Sequence, residues 1–223
     1  MTHPDILAVL ARERVNTFLS EAQAARQASL ARAARSPARG TRVRLRDGSK
    51  VLIRPVWSGD APPLADGFAR LSPQSRWMRF LRTKTSLSAA ELRYFTEVDH
   101  HDHEAIGALS AADGRGVGIA RYVRDSNDPQ SAEIAVTILD DWQGRGLSTE
   151  LLARLSDRAR QAGIDRFTAL VGAQNTAMAG LLRKMRACLV GRGPGTVEYE
   201  VALVIPPGDP GYNQMPQPVS QPC

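Results

Sequence analysis

Two stretches of this chain hold residue types spaced to do chemistry. The first is Gln143-Gly144-Arg145-Gly146-Leu147-Ser148. Two glycines let the backbone approach a ligand closely, and Ser148 and Thr149 fall where a helix would begin. The unpaired first-turn N–H groups and the positive end of a helix dipole favour an anion there. The run lacks the third glycine of Gly-x-Gly-x-x-Gly, and no Gly-Lys pair precedes Ser148-Thr149, so the dinucleotide and triphosphate loops are both set aside. An ordinary strand-to-helix turn with two glycines is the plain alternative. The second stretch is Glu97-Val98-Asp99-His100-His101-Asp102-His103-Glu104, which holds three of the four histidines. His101, His103 and Asp99 are types that ligate a divalent metal. A polar helix-to-strand junction accounts for the same residues without one, and no metal is expected.

The elements that must position these residues follow from periodicity. Residues 133–139 alternate as a half-buried strand, and Leu147, Leu151, Leu152 and Leu155 recur at helical spacing, so the first run joins a strand to a helix. That helix is expected to stop at Gly163. Upstream, Asp47-Gly48 predicts a hairpin between strands near 43–46 and 50–56. Helices are expected over 62–71, 73–81 and 88–98, the last with Ser88 and Glu91 at capping-box spacing. Strands are expected over 104–111, 116–124 and 132–139. Beyond the long helix come a strand at 167–171, a helix opened by Asn175, and one final strand over 196–204. The order is a hairpin, helices, antiparallel strands and then a βαβ unit, which is a mixed sheet of the α/β (α+β) class with no internal repeat.

Composition narrows the function classes. A chain of 223 residues can bury one good core with appendages. Residues 1–40 form an Ala/Arg-rich stretch with apolar positions at Ile6, Leu7, Leu10, Val15, Phe18 and Leu19, which predicts an amphipathic helical arm. The arm has six arginines against Asp5, Glu13 and Glu21, a share of +3 in the net charge of +6. From 205 on, Pro, Gly and Gln predominate and predict a disordered tail. Nucleic acid is an unpromising partner: Lys50, Lys84 and Lys184 are the only lysines, so arginine replaces lysine everywhere, and few aromatics are present to stack bases. The arm is expected to dock on the body or on a partner chain, a homodimer included. No apolar run has membrane-spanning length and no signal-peptide core opens the chain, which predicts a cytoplasmic protein. Cys188 and Cys223 are too few for a disulfide framework, and neither neighbours a His or Asp that would activate a thiol.

The first run, with Gln143, Gly144, Arg145, Gly146 and Leu147 followed by Ser148, resembles the acetyl-CoA pyrophosphate loop of the GNAT superfamily of N-acetyltransferases, Gln/Arg-x-x-Gly-x-Gly/Ala. Asn175-Thr176-Ala177-Met178-Ala179-Gly180-Leu181 is similar to that family's Asn-x-x-Ala/Met-x-x-Leu segment. The resemblance covers residues 41–204 and implies the GNAT fold, with a V-shaped splay between the strands at 132–139 and 166–171. It implies acetyl-CoA as co-substrate, contacted by Gln143 to Thr149, by Asn175, and by the backbone of Val136 and Ile138 on the splayed strand.

For an amine acceptor of pKa about 10.4, a base must remove a proton. Glu133, on the strand that feeds the loop, matches the strand Glu that serves as base in lysine-acetylating members, and partial burial would raise its pKa usefully. A solvated Glu paired with Arg121 or Arg124 is the plain alternative. Leu182 stands where many members carry a Tyr that protonates the thiolate. Departure without an acid is tolerable for a thiol of pKa about 8.5. Arg186 replaces a glycine usual near that helix end. His100, His101 or His103 are expected on a substrate-channel wall, relaying a proton or orienting the acceptor.

The alanine-glutamate strand and the histidine region are most similar to the catalytic domain of bacterial Pat-type protein lysine acetyltransferases. Protein lysine is therefore the expected acceptor, with a small amine as the alternative. Some relatives carry a cyclic-nucleotide-binding domain; this chain has no room for one, and such regulation is not carried over. Two other classes stay open: a domain that senses acyl-CoA without turnover, and an adaptor working through its arm.

Overall fold

The computed structural model describes residues 40–203, so the arm and tail expectations lie outside the described residues. β1 (Thr41–Arg44) and β2 (Lys50–Pro55) form the expected hairpin. Asp47 Oδ1 accepts from the Ser49 amide and hydroxyl, and Gly48 takes φ +86°, which closes the turn. Three helices follow: α1 (Ala61–Arg70), α2 (Pro73–Phe80) and α3 (Ala89–Thr96). Ser72 caps α2 by accepting from the Ser75 amide at 3.1 Å. Ser88 and Glu91 form the reciprocal capping box of α3, the Ser88 hydroxyl accepting at 3.2 Å and the Glu91 carboxylate at 2.9 Å.

β3 (His103–Ser110), β4 (Gly116–Arg124) and β5 (Ser131–Ile138) run antiparallel in the middle of the sheet. α4 (Leu147–Gln161) then crosses to β6 (Arg166–Gly172), which lies parallel to β5. α5 (Thr176–Lys184), β7 (Cys188–Gly193) and β8 (Thr196–Ala202) complete the eight-stranded order β1-β2-β3-β4-β5-β6-β8-β7. Where one last strand was expected over 196–204, there is a hairpin, β8 stopping at Ala202 and β7 covering its edge. β7 shows no clean alternation because its register shifts between Leu189 and Gly191, and Leu189 and Val190 are exposed.

Period-two alternation sorts β3, β4 and β5 into two faces. Ile106, Ala108, Ala120, Tyr122 and Ile134 pack with Leu147, Leu151, Leu152 and Leu155 of α4 in the main core. On the opposite face, Phe68 and Leu71 pack with Leu139, and Ala105 with Val56 and Val98, under α1–α3. Truncating a fully buried leucine of α4 would cost about 2–5 kcal/mol. The sheet's centre is thus held rigidly from both sides, and the parallel β5–β6 junction is the place where it opens.

Candidate active site

β5 and β6 pair only at Ser131↔Arg166, Ala132↔Phe167 and Glu133↔Thr168. Beyond Glu133, β5 continues along β4 through Ile138↔Gly118, while its other edge has parted from β6. A backbone edge released from its ladder offers N–H and C=O groups to an extended ligand. A cleft of about 510 Å³ fills the opening. Glu133, Val136, Ile138, Gln143, Gly144, Leu147, Ser148 and Asn175 all line it, so most of the sequence-derived site residues converge there. Arg145, Gly146 and Thr149 are not among its lining residues.

The loop's geometry explains its glycines. Gly144 and Gly146 have φ of +74° and +89°, the left-handed region that costs any other residue. A Cβ on Gly146 would also lie 3.2 Å from Arg46 Nε. Gly146 is the N-cap of α4 with no capping side chain, which keeps the first-turn N–H groups for a ligand. An anion held here would therefore meet backbone N–H groups and the helix dipole. Arg145 turns away: it sits 3.0 Å from Asp47, donates to the Asp141 carbonyl and stacks 4.8 Å over Trp142. Its work is to brace the loop against the first hairpin. Gln143 Nε2 donates to the Ile138 carbonyl at 3.2 Å, tying loop to strand.

Asn175 caps α5, its Oδ1 accepting from the Met178 amide at 3.0 Å, and it also borders the cleft. The cap uses the carbonyl oxygen, so the amide nitrogen is the group that could still donate to a ligand. Leu182, at the position of the family's Tyr, is fully buried in the main core, whereas Met178 and Leu181 face the cleft. Arg186 stands at φ +60°, the left-handed turn for which a glycine is suited.

The opposite wall is built by α2, α3 and β4. Glu133 is half-buried and lies in one cross-strand row with Val123 and His103, so all three share a face. Arg79, Tyr94, Phe95 and Arg121 line the cleft beside it. The two arginines named in the plain alternative for Glu133 also bond to other groups. Arg124 pairs with Asp102 at 2.6 Å and donates to the Ala162 carbonyl, and Arg121 donates to the Phe95 carbonyl at 2.8 Å. Glu133 also acts on Arg79, whose pKa burial lowers and the Glu133 charge partly restores.

The histidines expected on a channel wall are placed elsewhere. Neither His101 nor His103 lines the cleft. His101 is exposed with its ring on Asp102 at 2.8 Å. His103 is buried one layer behind, its ring 4.9 Å from that of Tyr94, and burial followed by the nearby charges of Arg121 and His100 lowers its pKa well below 6.5. The segment folds as a polar junction. Asp99 Oδ1 accepts from the amides of His101, Asp102 and His103. His100, at φ +60°, meets the buried Glu104 carboxylate at 2.8 Å, which also takes Arg158 at 2.7 Å. Among the described residues no group of three or more metal-ligating side chains is assembled. The sequence does not point to Arg79 and Tyr94, nor to the place of Arg121 on the cleft wall. Their signal was faint: an Arg on an otherwise apolar strand and an aromatic pair on a short helix.

A parted parallel strand pair with a glycine-cradled helix terminus at its mouth defines the GNAT class of acetyltransferase. The family profile Acetyltransferase (GNAT) domain matches residues 50–187, and the chain belongs to that family. It is 34% identical over 167 residues to the acetyltransferase Pat of Mycolicibacterium smegmatis, covering 75% of this chain and 49% of that protein. It is 40% identical over 139 residues to the acetyltransferase PA5475 of Pseudomonas aeruginosa, covering 61% and 74% of the two. The crystal structure of the GNAT domain of S. lividans PAT superposes with a TM-score of 0.70 at 29% identity, over 75% of this chain and 99% of that one. The chain thus spans about half the length of the Mycolicibacterium relative. Among the described residues no helix is long and apolar enough to cross a membrane.

Proposed function

We propose that this domain moves the acetyl group of acetyl-CoA to a primary amine of a protein lysine, by direct attack in a ternary complex. The observation that carries the reading is the end of β5–β6 pairing at Glu133, with the Gly144–Gly146 loop at the far end of the same parted strand. First-turn N–H groups of α4, at Leu147, Ser148 and Thr149, hold the pyrophosphate, and the free edge of β5 at Val136 and Ile138 holds the pantetheine arm. One N–H of that edge polarises the thioester carbonyl. Glu133 takes the amine proton, directly or through one water, as the nitrogen forms its bond to the acetyl carbon. The carbon–sulfur bond breaks, and CoA departs as a thiolate that is protonated from solvent. Protein lysine as acceptor is supported by the likeness to Pat-type enzymes.

The experiment is incubation with acetyl-CoA and a panel of lysine peptides and small amines, read by intact mass and by free-thiol release. Acetylated peptide at wild-type but not Glu133→Gln rates is the expected result. Acetylation of small amines alone would move the acceptor to that class. A second reading, an acyl-CoA sensor without turnover, rests on the burial of Leu182, which puts an inert side chain where an acid is usual. Tight acetyl-CoA binding with no transfer to any amine would establish it.

A further inference from the structure

Among the described residues, two arginines, Arg79 and Arg121, line the acceptor wall beside Glu133. Arg121 is 5% exposed. Its Nη2 reaches the Phe95 carbonyl, its guanidinium lies 4.3 Å over the Phe95 ring and 5.7 Å from Tyr94, and Nη1 has no hydrogen-bond partner among the described residues. Burial brings its pKa down to about 9; Tyr94 opposes that fall and Arg79 adds to it. Both arginines also border a smaller apolar cavity of about 110 Å³ under α1–α3, so their surroundings are poorly solvating.

The cleft's other carboxylates are spoken for. Glu91 takes Lys84 at 2.6 Å, Arg82 at 3.4 Å and the Ser88 amide. Asp140 takes the Ser72 amide and the hydroxyls of Ser72 and Ser75. Glu133 acts electrostatically on Arg79, and a base held permanently as a counter-ion could not accept a proton. A guanidinium withdrawn from water with a donor unfilled is unfavourable, and an arriving carboxylate relieves that cost. The phosphates of the co-substrate belong at Gly144–Ser148 and its thioester end is neutral, so among the substrates the acceptor is the one that can bring an anion to this wall. Spacing agrees. Arg121 lies opposite Ala135, two residues along β5 from Glu133 on the same face, a diagonal of roughly 7–8 Å.

We propose that Arg79 and Arg121 form a subsite for a carboxylate carried by the acceptor, so that the favoured amine is one with an acidic group a few ångströms away. In a protein this is a lysine flanked by Asp or Glu; in a small molecule it is an amino acid's own carboxylate. Arg79, the more exposed of the two, makes the contact, and Arg121 supplies charge from behind.

The inference rests on the acetyltransferase reading, and the test separates the two. Matched peptides carry Lys beside Glu or beside Gln, and lysine is compared with its carboxamide. Turnover and calorimetric peptide binding are both measured for wild type, Arg79→Gln and Arg79→Lys, with Arg121→Gln added if its melting curve shows a fold. The expected result is about a tenfold or larger Glu-over-Gln ratio in kcat/KM, expressed mainly in KM, collapsing towards one in Arg79→Gln and partly kept in Arg79→Lys. A matching preference for lysine over its amide, without one among peptides, assigns the carboxylate to a small acceptor. Equal binding of Glu and Gln peptides and of lysine and its amide, or a ratio unchanged by Arg79→Gln, overturns the subsite. Carboxylate-selective binding without transfer to any amine keeps the subsite and overturns the acetyltransferase reading.

Discussion

The two walls of the cleft are made in different ways. The wall proposed for the cofactor is one contiguous stretch, β5 through the loop into α4, and the groups it would use are backbone amides whose positions follow from two glycines. The wall proposed for the acceptor is assembled from α2, α3 and β4, and the groups it would use are side chains, Arg79, Tyr94 and Arg121, that meet only in the folded state. A backbone site tolerates sequence change everywhere except at its glycines. A side-chain site can be retuned one residue at a time, which is how one scaffold serves many acceptors.

Breaking the walls separately sharpens that contrast. Glu133→Gln should give the largest effect, a loss of about 10²- to 10⁴-fold in kcat/KM at every pH with acetyl-CoA affinity retained, as steady-state kinetics and calorimetry would show. Unchanged turnover would remove Glu133 from the chemistry. Gly146→Val acts on the other wall: a β-branched residue at φ +89° should cost about 1–3 kcal/mol and weaken acetyl-CoA binding about tenfold or more, with peptide binding less affected. Equal loss at both sites would deny that the walls are separable.

Smaller effects probe the supporting layer. The folded pKa of His103 is depressed, so below about 6.5 the unfolded chain binds a proton that the folded one refuses. Stability is then full above that pH and falls as pH drops towards the folded value. Chemical denaturation between pH 7.5 and 5 should show this decline, reduced in His103→Phe. An undiminished slope would assign it to other groups. Arg186→Gly should raise stability by about 0.5–1 kcal/mol, the relief of left-handed strain exceeding the added chain entropy of glycine; a lowered melting temperature would contradict it.

What could be read in the sequence follows the same division. Gly144, Gly146 and the leucines of α4 announce strand, loop and helix within a dozen or so residues, because local backbone demands leave local marks. The place of the histidines is not marked in the sequence, since imidazoles suggest chemistry wherever they occur, and only packing shows that Asp99 gathers three amides while His103 lies behind Tyr94. β7 escaped because a bulge broke its alternation. Arg79 and Arg121 are far apart in the chain and gain meaning only once α2 is laid against β5.

Asp140 stands between the two walls. Its carboxylate holds the amide of Ser72 and the hydroxyls of Ser72 and Ser75 at the start of α2, and Ser75 lies 3.5 Å from the amide nitrogen of Gln143 in the loop. A ligand that steadies the loop would therefore steady α2, and with it Arg79. By linkage the benefit runs both ways: each substrate should bind more tightly once the other is seated, and the empty domain should hold either one poorly.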